Sequence, residues 1–267
     1  MNEAELLFST ILNSDRLSLY LNRGSHLEKD KSLLISSILK RRISGEPIQY
    51  ILGKAEFMGL EFKVGPGVFI PRPETEILVE TAIKQVTRSP GHQVTSLDIL
   101  DMGTGSGCIA ISLAKLLPYA AITATDISDK ALAAAMENAD LNGAKVNFVQ
   151  GDLFCGFSPG SYDLVVSNPP YIPSPEIQNL QPEIRHDPII ALDGGSDGLD
   201  FYRRMITDAP QYLKENSCLI MEMGFNQKGS IKDIFQKNKN FKVIDIVQDY
   251  NNIDRIIIAK REDRWIN

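Results

Sequence analysis

Apolar positions along this chain follow two different periods. In the first 45 residues, Leu6, Leu7, Ile11 and Leu12, and later Leu34, Ile35, Ile38 and Leu39, recur in the three- and four-residue steps of one helix face. The polar stretch Asn22-Arg23-Gly24-Ser25 interrupts them, so about three short helices are predicted, a bundle too small to enclose a generous core and expected to pack on something else. Residues 46–72 lose that period. Tyr50-Ile51-Leu52-Gly53 and Leu60-Glu61-Phe62-Lys63-Val64 read as short strands, punctuated by Gly53, Gly59, Gly65 and Gly67, and predict a hairpin linker. Pro71 and Pro73 stiffen the next turn, and a helix from about Glu74 through Val86 follows, with Glu74 and Glu76 at its positive end.

From about Ser96 onward short apolar runs alternate with helical segments. Strands are predicted at 97–100, 121–125, 146–149, 163–166, 218–221, 242–247 and 255–259, and helices at 108–117, 129–141, 199–213 and 231–235. Such alternation predicts an α/β fold, a parallel sheet with helices on both faces. The expected division is an N-terminal helical unit at 1–45, a hairpin linker at 46–72 and a Rossmann-like domain at 73–267.

Composition narrows the setting. No apolar run approaches the roughly 20 residues of a membrane span. The N-terminal MNEAELLFST is acidic early and lacks the basic flank and apolar core of a secretory leader, so a cytoplasmic protein is expected. Cys108, Cys155 and Cys218 lie far apart, which argues against disulfides or a zinc knuckle and for small buried side chains. His26, His92 and His186 are equally scattered, and no metal is called for. A net charge of −6 disfavours a nucleic-acid duplex as partner. The basic run Lys40-Arg41-Arg42 reads as a solvated helix end, and the balance leans toward a small-molecule or protein partner. A monomer is expected.

Two loops carry chemistry. Asp101-Met102-Gly103-Thr104-Gly105-Ser106-Gly107 joins a predicted strand to a predicted helix, where glycines let the backbone turn tightly and approach a ligand. The N–H groups opening the next helix would attract a carboxylate or phosphate. Asp126 ends the following strand, 19 residues after Gly107, a spacing suited to accepting ribose hydroxyls. The loop is G-x-G-x-G rather than the dinucleotide G-x-G-x-x-G, and it lacks the P-loop lysine. That favours S-adenosylmethionine over NAD or ATP. Asp152 and Leu153 extend the expected cofactor wall, although Asp152 reads equally as a turn cap.

Ser167-Asn168-Pro169-Pro170-Tyr171 follows the fourth strand, at the same sheet edge as the glycine loop. Two prolines remove two donors and fix the backbone, so a rigid segment with unpaired carbonyls is expected. The Asn168 side-chain oxygen and the Pro169 carbonyl could each accept one N–H of a planar nitrogen, and Tyr171 could pack on the planar group. Bonds favouring a more tetrahedral nitrogen strengthen in the transition state, where they accelerate transfer. Asn168, Pro169 and Tyr171 are thus the candidate catalytic residues, with Pro170 completing the substrate loop.

With these motifs in hand, the chain resembles the HemK/PrmC protein-glutamine methyltransferases. The resemblance covers most of the chain: Pro47 to Gly53, Ile70 to Glu76, Asp101 to Gly107, Asn168 to Tyr171, Gly194 to Leu199, and Glu222-Met223-Gly224 with Gln227. It implies a class I methyltransferase sheet, S-adenosylmethionine contacts at Gly103 to Gly107, Asp126 and Asn168, and substrate contacts at Asn168 to Tyr171. The implied substrate is the GGQ glutamine of class I peptide chain release factors, engaged with help from the N-terminal helices; no direct nucleic-acid substrate is expected. Leu153 stands where some members carry a tryptophan beside the adenine, and His186-Asp187-Pro188 fills a stretch that often has Glu before the proline. Arg72 and Glu74 read either as ordering the cofactor pocket or as an ion-paired surface turn. Asn-Pro-Pro-Tyr also occurs in adenine and guanine amino-methyltransferases, so a nucleic-acid enzyme competes, as does a ribosomal-protein glutamine methyltransferase. From another class, a dehydrogenase or a silent nucleotide-binding module remains open.

Overall fold

A computed structural model describes residues 3–21, 26–87 and 97–262; the expected break at Asn22–Ser25 and His92 lie outside them. The N-terminal periodicity yields α1 (Glu3–Leu12), α2 (Arg16–Leu21) and α3 (Lys29–Ile43). Leu7, Ile35 and Ile38 meet in a small buried cluster that also takes Ile48. Ile48 belongs to α4 (Ile48–Leu52), so the strand expected at Tyr50–Gly53 is instead a helical turn. The reason is local. Pro47 pre-sets the entry and Gly53, left-handed at φ +74°, ends the turn, which lets Ile48 and Tyr50 be buried on different neighbours. The hairpin follows it, as β1 (Lys54–Phe57) and β2 (Leu60–Lys63), paired antiparallel.

The hairpin is not free-standing. Phe57 and Phe62, in edge-to-face contact at 6.1 Å, are buried in the core of the main sheet. Met58 donates its N–H to Glu76 (2.6 Å) in α5 (Pro73–Thr87). Asn138, in α7 (Asp129–Asn142), accepts the Lys63 N–H and donates to the Lys63 and Ser106 carbonyls. One buried amide therefore ties the hairpin to the glycine loop.

Seven strands build the main sheet: β3 (Leu97–Met102), β4 (Ala120–Asp126), β5 (Asn147–Gln150), β6 (Tyr162–Ser167), β7 (Leu213–Glu222), β8 (Phe241–Gln248) and β9 (Asp254–Arg261), in the order β5-β4-β3-β6-β7-β9-β8. Strands β5 to β7 are parallel, whereas β9 runs antiparallel between β7 and β8. The sheet is thus mixed, not parallel throughout. Only residues 249–253 join β8 to β9, too few for the crossover that parallel neighbours need. Asp249 closes that turn by accepting from the N–H groups of Asn251 and Ile253.

Adjacent residues of the central strands are buried on opposite faces. Ile99, Leu164 and Val166 pack with α5, α7 and α6 (Cys108–Leu116), while Leu100, Val165 and Leu219 pack with α8 (Asp200–Tyr212) and α9 (Lys228–Asn238). Cys108 and Cys218 are buried as expected, but Cys155 is exposed, because the turn after Asp152 carries it to the surface. Arg42 leaves the expected solvated helix end to bond Glu3 and Glu183. Among the described residues no helix is long and apolar enough to cross a membrane.

Gly107 shows how tightly α6 sits on α7. It has φ +83°, and a Cβ there would stand 2.9 Å from Ile111 Cδ1 and 3.0 Å from Ala135 Cβ. Gly107→Ala is expected to lower stability by about 1–3 kcal/mol. A lower urea midpoint at unchanged slope would register the loss, and an unmoved midpoint would show that the helix pair relaxes around the methyl group.

Candidate active site

Four parallel strands, β5, β4, β3 and β6, end at one edge, and the loops leaving them line a single cleft. The glycine loop leaves β3. Its Gly103 and Thr104 N–H groups both donate to the Thr125 carbonyl at 2.9 Å, bending the chain across the top of β4. A Cβ built on Gly103 would meet no atom within 4 Å, so this backbone faces open space in the cleft wall. Gly103, Thr104, Gly105 and Ser106 line the cleft, while Gly107 stands behind them against α7.

Asp101 holds the loop from beneath. It is wholly buried, and its Oδ2 accepts from Thr104 Oγ1 (2.6 Å) and the Ala110 N–H (3.2 Å). Burial pushes its pKa up to about 7. One N–H opening α6 is therefore satisfied by the protein itself.

Asp126 sits at the cleft edge, with Oδ2 accepting from the Gly105 N–H and Oδ1 from the Ser128 N–H, both at 2.9 Å. Burial raises its pKa, and these two N–H groups oppose the rise. A carboxylate has about four lone-pair sites, so two remain for further donors. Asp152 and Leu153 also line the cleft. The Asp152 carboxylate is bound by Arg204 of α8 at 2.8 Å, and Leu153, at φ +52°, packs with Met102 and Phe154.

The glycine backbone, the acid at the edge and the apolar wall fit an adenosyl ligand. Arg72 lines the cleft but is paired with Asp187, and among the described residues no lysine lines it to neutralise a phosphate. That suits S-adenosylmethionine, which carries none.

Asn168, Pro169, Pro170 and Tyr171 line the same cleft beyond the end of β6. Ser167 fixes the strand end by donating to the Met102 carbonyl at 2.7 Å. Among the described residues no donor reaches the Pro169 carbonyl, whereas the Tyr171 carbonyl accepts from Gln227 Nε2 at 2.9 Å. Gln227 also bonds the Gly198 carbonyl and the Gly224 N–H, clamping three loops together. The partly buried Tyr171 packs against the core cluster that contains Tyr202 and Met205 of α8, so it is a cleft wall backed by the core.

Several residues to which the sequence pattern gave no settled role complete the site. Asn168 Nδ2 donates to Thr75 Oγ1 (3.1 Å), which donates to Glu222 Oε2 (2.7 Å). Arg72 lines the cleft, pairs with Asp187 and lies over the Phe69 ring at 5.1 Å. Asp187 accepts in addition from Tyr50 Oη (3.0 Å) and the Ile70 N–H (3.4 Å). Burial raises the Asp187 pKa, with Arg72 opposing it. Of the two readings of this turn, pocket wall or surface ion pair, the first fits: Arg72 lines the cleft and is anchored to the 185–188 loop. Among the described residues no group of three His, Cys, Asp or Glu side chains could hold a metal ion.

Residues 60–184 match the family model described as methyltransferase small domain, and residues 1–53 match that described as PrmC N-terminal domain. A methyltransferase from Pyrococcus furiosus has the same fold, at TM-score 0.55 and 19% identity over 84% of this chain and 98% of that one. The release factor glutamine methyltransferase of Geobacter sulfurreducens is 42% identical over 96% of this chain and 87% of its own length. That of Thermodesulfovibrio yellowstonii is 39% identical over 98% of this chain and 92% of its own. Identity at this level across both the helical N-terminus and the sheet makes the chain a member of the release factor glutamine methyltransferase family.

Proposed function

We propose that this chain transfers a methyl group from S-adenosylmethionine to the side-chain amide nitrogen of the glutamine in the GGQ motif of class I peptide chain release factors. The observation that carries the reading is the Asn168 amide. Its nitrogen end is committed to Thr75, and its oxygen is left as an acceptor in the cleft beside the Pro169 carbonyl. Two acceptors side by side match the two N–H donors of a primary amide.

An amide nitrogen is a poor nucleophile because its lone pair is delocalised into the carbonyl. Asn168 and Pro169 would accept hydrogen bonds from its two N–H groups and favour the pyramidal nitrogen of the transition state, an interaction stronger there than in the ground state. When bound, S-adenosylmethionine supplies an electrophilic methyl carbon. Gly103, Thr104, Gly105 and Ser106 would hold it with Asp126 on the ribose, and Asp152 and Leu153 would wall the adenine side. The nitrogen would gain the methyl carbon as its bond to the sulfonium sulfur breaks, leaving S-adenosylhomocysteine, and would shed one of its two protons to water, so the chain need supply no strong base. Tyr171 and Pro170 would confine the planar group.

The helical residues 1–45 would engage the release factor, with 46–72 as linker and 73–267 as the catalytic unit. Leu17, Leu21, Leu33 and Ile43 support this, since each leaves an apolar side chain exposed on those helices. All residues invoked come from one chain, so a monomer suffices, and a substrate of the ribosome cycle makes the cytoplasm the compartment.

Mass spectrometry of a release factor incubated with this protein and S-adenosylmethionine is expected to find one added methyl on the GGQ glutamine. Methylation of RNA adenine with an untouched release factor would overturn the reading. Asn168→Ala is expected to abolish transfer while calorimetry still detects cofactor binding; retained turnover would remove Asn168 from the mechanism. Asp126→Ala is expected to weaken S-adenosylmethionine binding on the order of 10- to 100-fold, since a hydrogen bond to a charged group contributes about 1.5–3 kcal/mol. Unchanged affinity would count against its ribose contact.

A further inference from the structure

An asparagine side chain is nearly symmetric in shape, and its two ends differ only in hydrogen-bond sense. Which end faces the cleft decides whether Asn168 attracts or repels an N–H donor. The choice is made two residues away. Glu222 is the acid that ends an otherwise apolar strand segment, Cys218 to Met221, and it is 2% exposed. It lies one step beyond the paired residues Ser167 and Met221, beside the start of the Asn168 loop. Thr75, also 2% exposed, stands between them in the first turn of α5.

A threonine hydroxyl has one proton to give. An ionised carboxylate can only accept, so Glu222 draws that proton, and Thr75 Oγ1 can then only accept from Asn168. The polarity of three groups is thereby set in one direction. We propose that Glu222 and Thr75 are positioning residues that hold the Asn168 amide with its oxygen toward the substrate nitrogen. This rests on the glutamine methyl-transfer reading.

The direction is conditional on charge. A protonated Glu222 could donate to Thr75, which could then donate to Asn168 Oδ1 and turn its NH2 toward the cleft. Burial pushes the Glu222 pKa up to about 7, opposed by its bond from Thr75. The groups facing it are Arg72 just before α5 and Glu74 in its first turn, Arg255 of β9, Tyr171 of the substrate loop, Tyr202 of α8 and Cys108 of α6. Arg255 is itself paired with Asp249 at 2.9 Å, and Tyr202 Oη donates to the Glu222 backbone carbonyl rather than its carboxylate. Thr75 is thus the side chain bonded to the Glu222 carboxylate. As pH falls through about 7 the carboxylate is lost, so the oriented form and the kcat for glutamine methylation fall together.

Two measurements test this independently of one another. In full-length protein labelled with 15N at asparagine, the Asn168 side-chain resonances, identified by their loss in Asn168→Asp, are expected to titrate with a midpoint of about 7. In Thr75→Val, which keeps the shape but not the hydroxyl, they are expected not to titrate. In turnover, Thr75→Val is expected to lower kcat on the order of 10- to 100-fold and to lose the acid limb of the pH profile, with S-adenosylhomocysteine affinity unchanged. Thr75→Ser is expected to restore both. Asn168 resonances that ignore pH in the unsubstituted protein, or Thr75→Val turning over at the parent rate, would overturn the proposal. If the resonances titrate but no release factor is methylated, the orientation stands and the substrate reading falls.

Discussion

Parallel strands finish at the same edge, and the chemistry of this protein depends on that constraint. Thr125, Ser167 and Glu222 are far apart in the chain, yet each stands at or beside the end of a neighbouring strand. The loops that follow have nowhere to go but over one another. Cross-strand bonds then convert adjacency into fixed geometry: Gly103 and Thr104 onto Thr125, Ser167 onto Met102, and Met223 onto Arg255. The cleft is what remains between loops pinned in this way. Its substrate side is not lined by sheet residues alone, because Arg72 and Thr75 reach it from the segment that leads into α5.

Much of this was legible in the sequence, for a physical reason. The central strands are buried on both faces and so appear as short apolar runs, and the glycine loop and the proline pair have few alternative uses. Tyr50 to Gly53 was misleading because a run of four is too short to display a period. Its capping residues, Pro47 and Gly53, were the better guide. The antiparallel edge was readable in principle, since five residues cannot carry a crossover.

The cleft loops were legible as loops, not as a network. Asp126 carries both the Gly105 and Ser128 N–H groups, so an acid read from its spacing to a ribose also shapes the loop that precedes it. Asp187, Thr75 and Gln227 stood only within stretches compared with the family, with no role of their own assigned. Asp187 and Thr75 act through side-chain partners more than 50 residues distant, and Gln227 joins Tyr171, 56 residues back, to the nearer Gly198 and Gly224; no local pattern records such pairings. Glu222 was the exception, a charge at the end of a run that is otherwise wholly apolar. Solvation cost alone marks such a residue as one with a partner.

Asn138 and Asp187 have a consequence for modularity. The hairpin and the N-terminal helices look like an attachment that could be exchanged among related enzymes. Yet Asn138 lies in α7 and Asp187 in the loop ahead of α8, and each bonds backward to the residues before α5. The seam therefore does not coincide with any single cut in the chain. A chimera that transplanted the first 72 residues onto a foreign sheet would need these two recipient positions matched as well, or it would join two folded parts without joining the hydrogen-bond circuit that spans them.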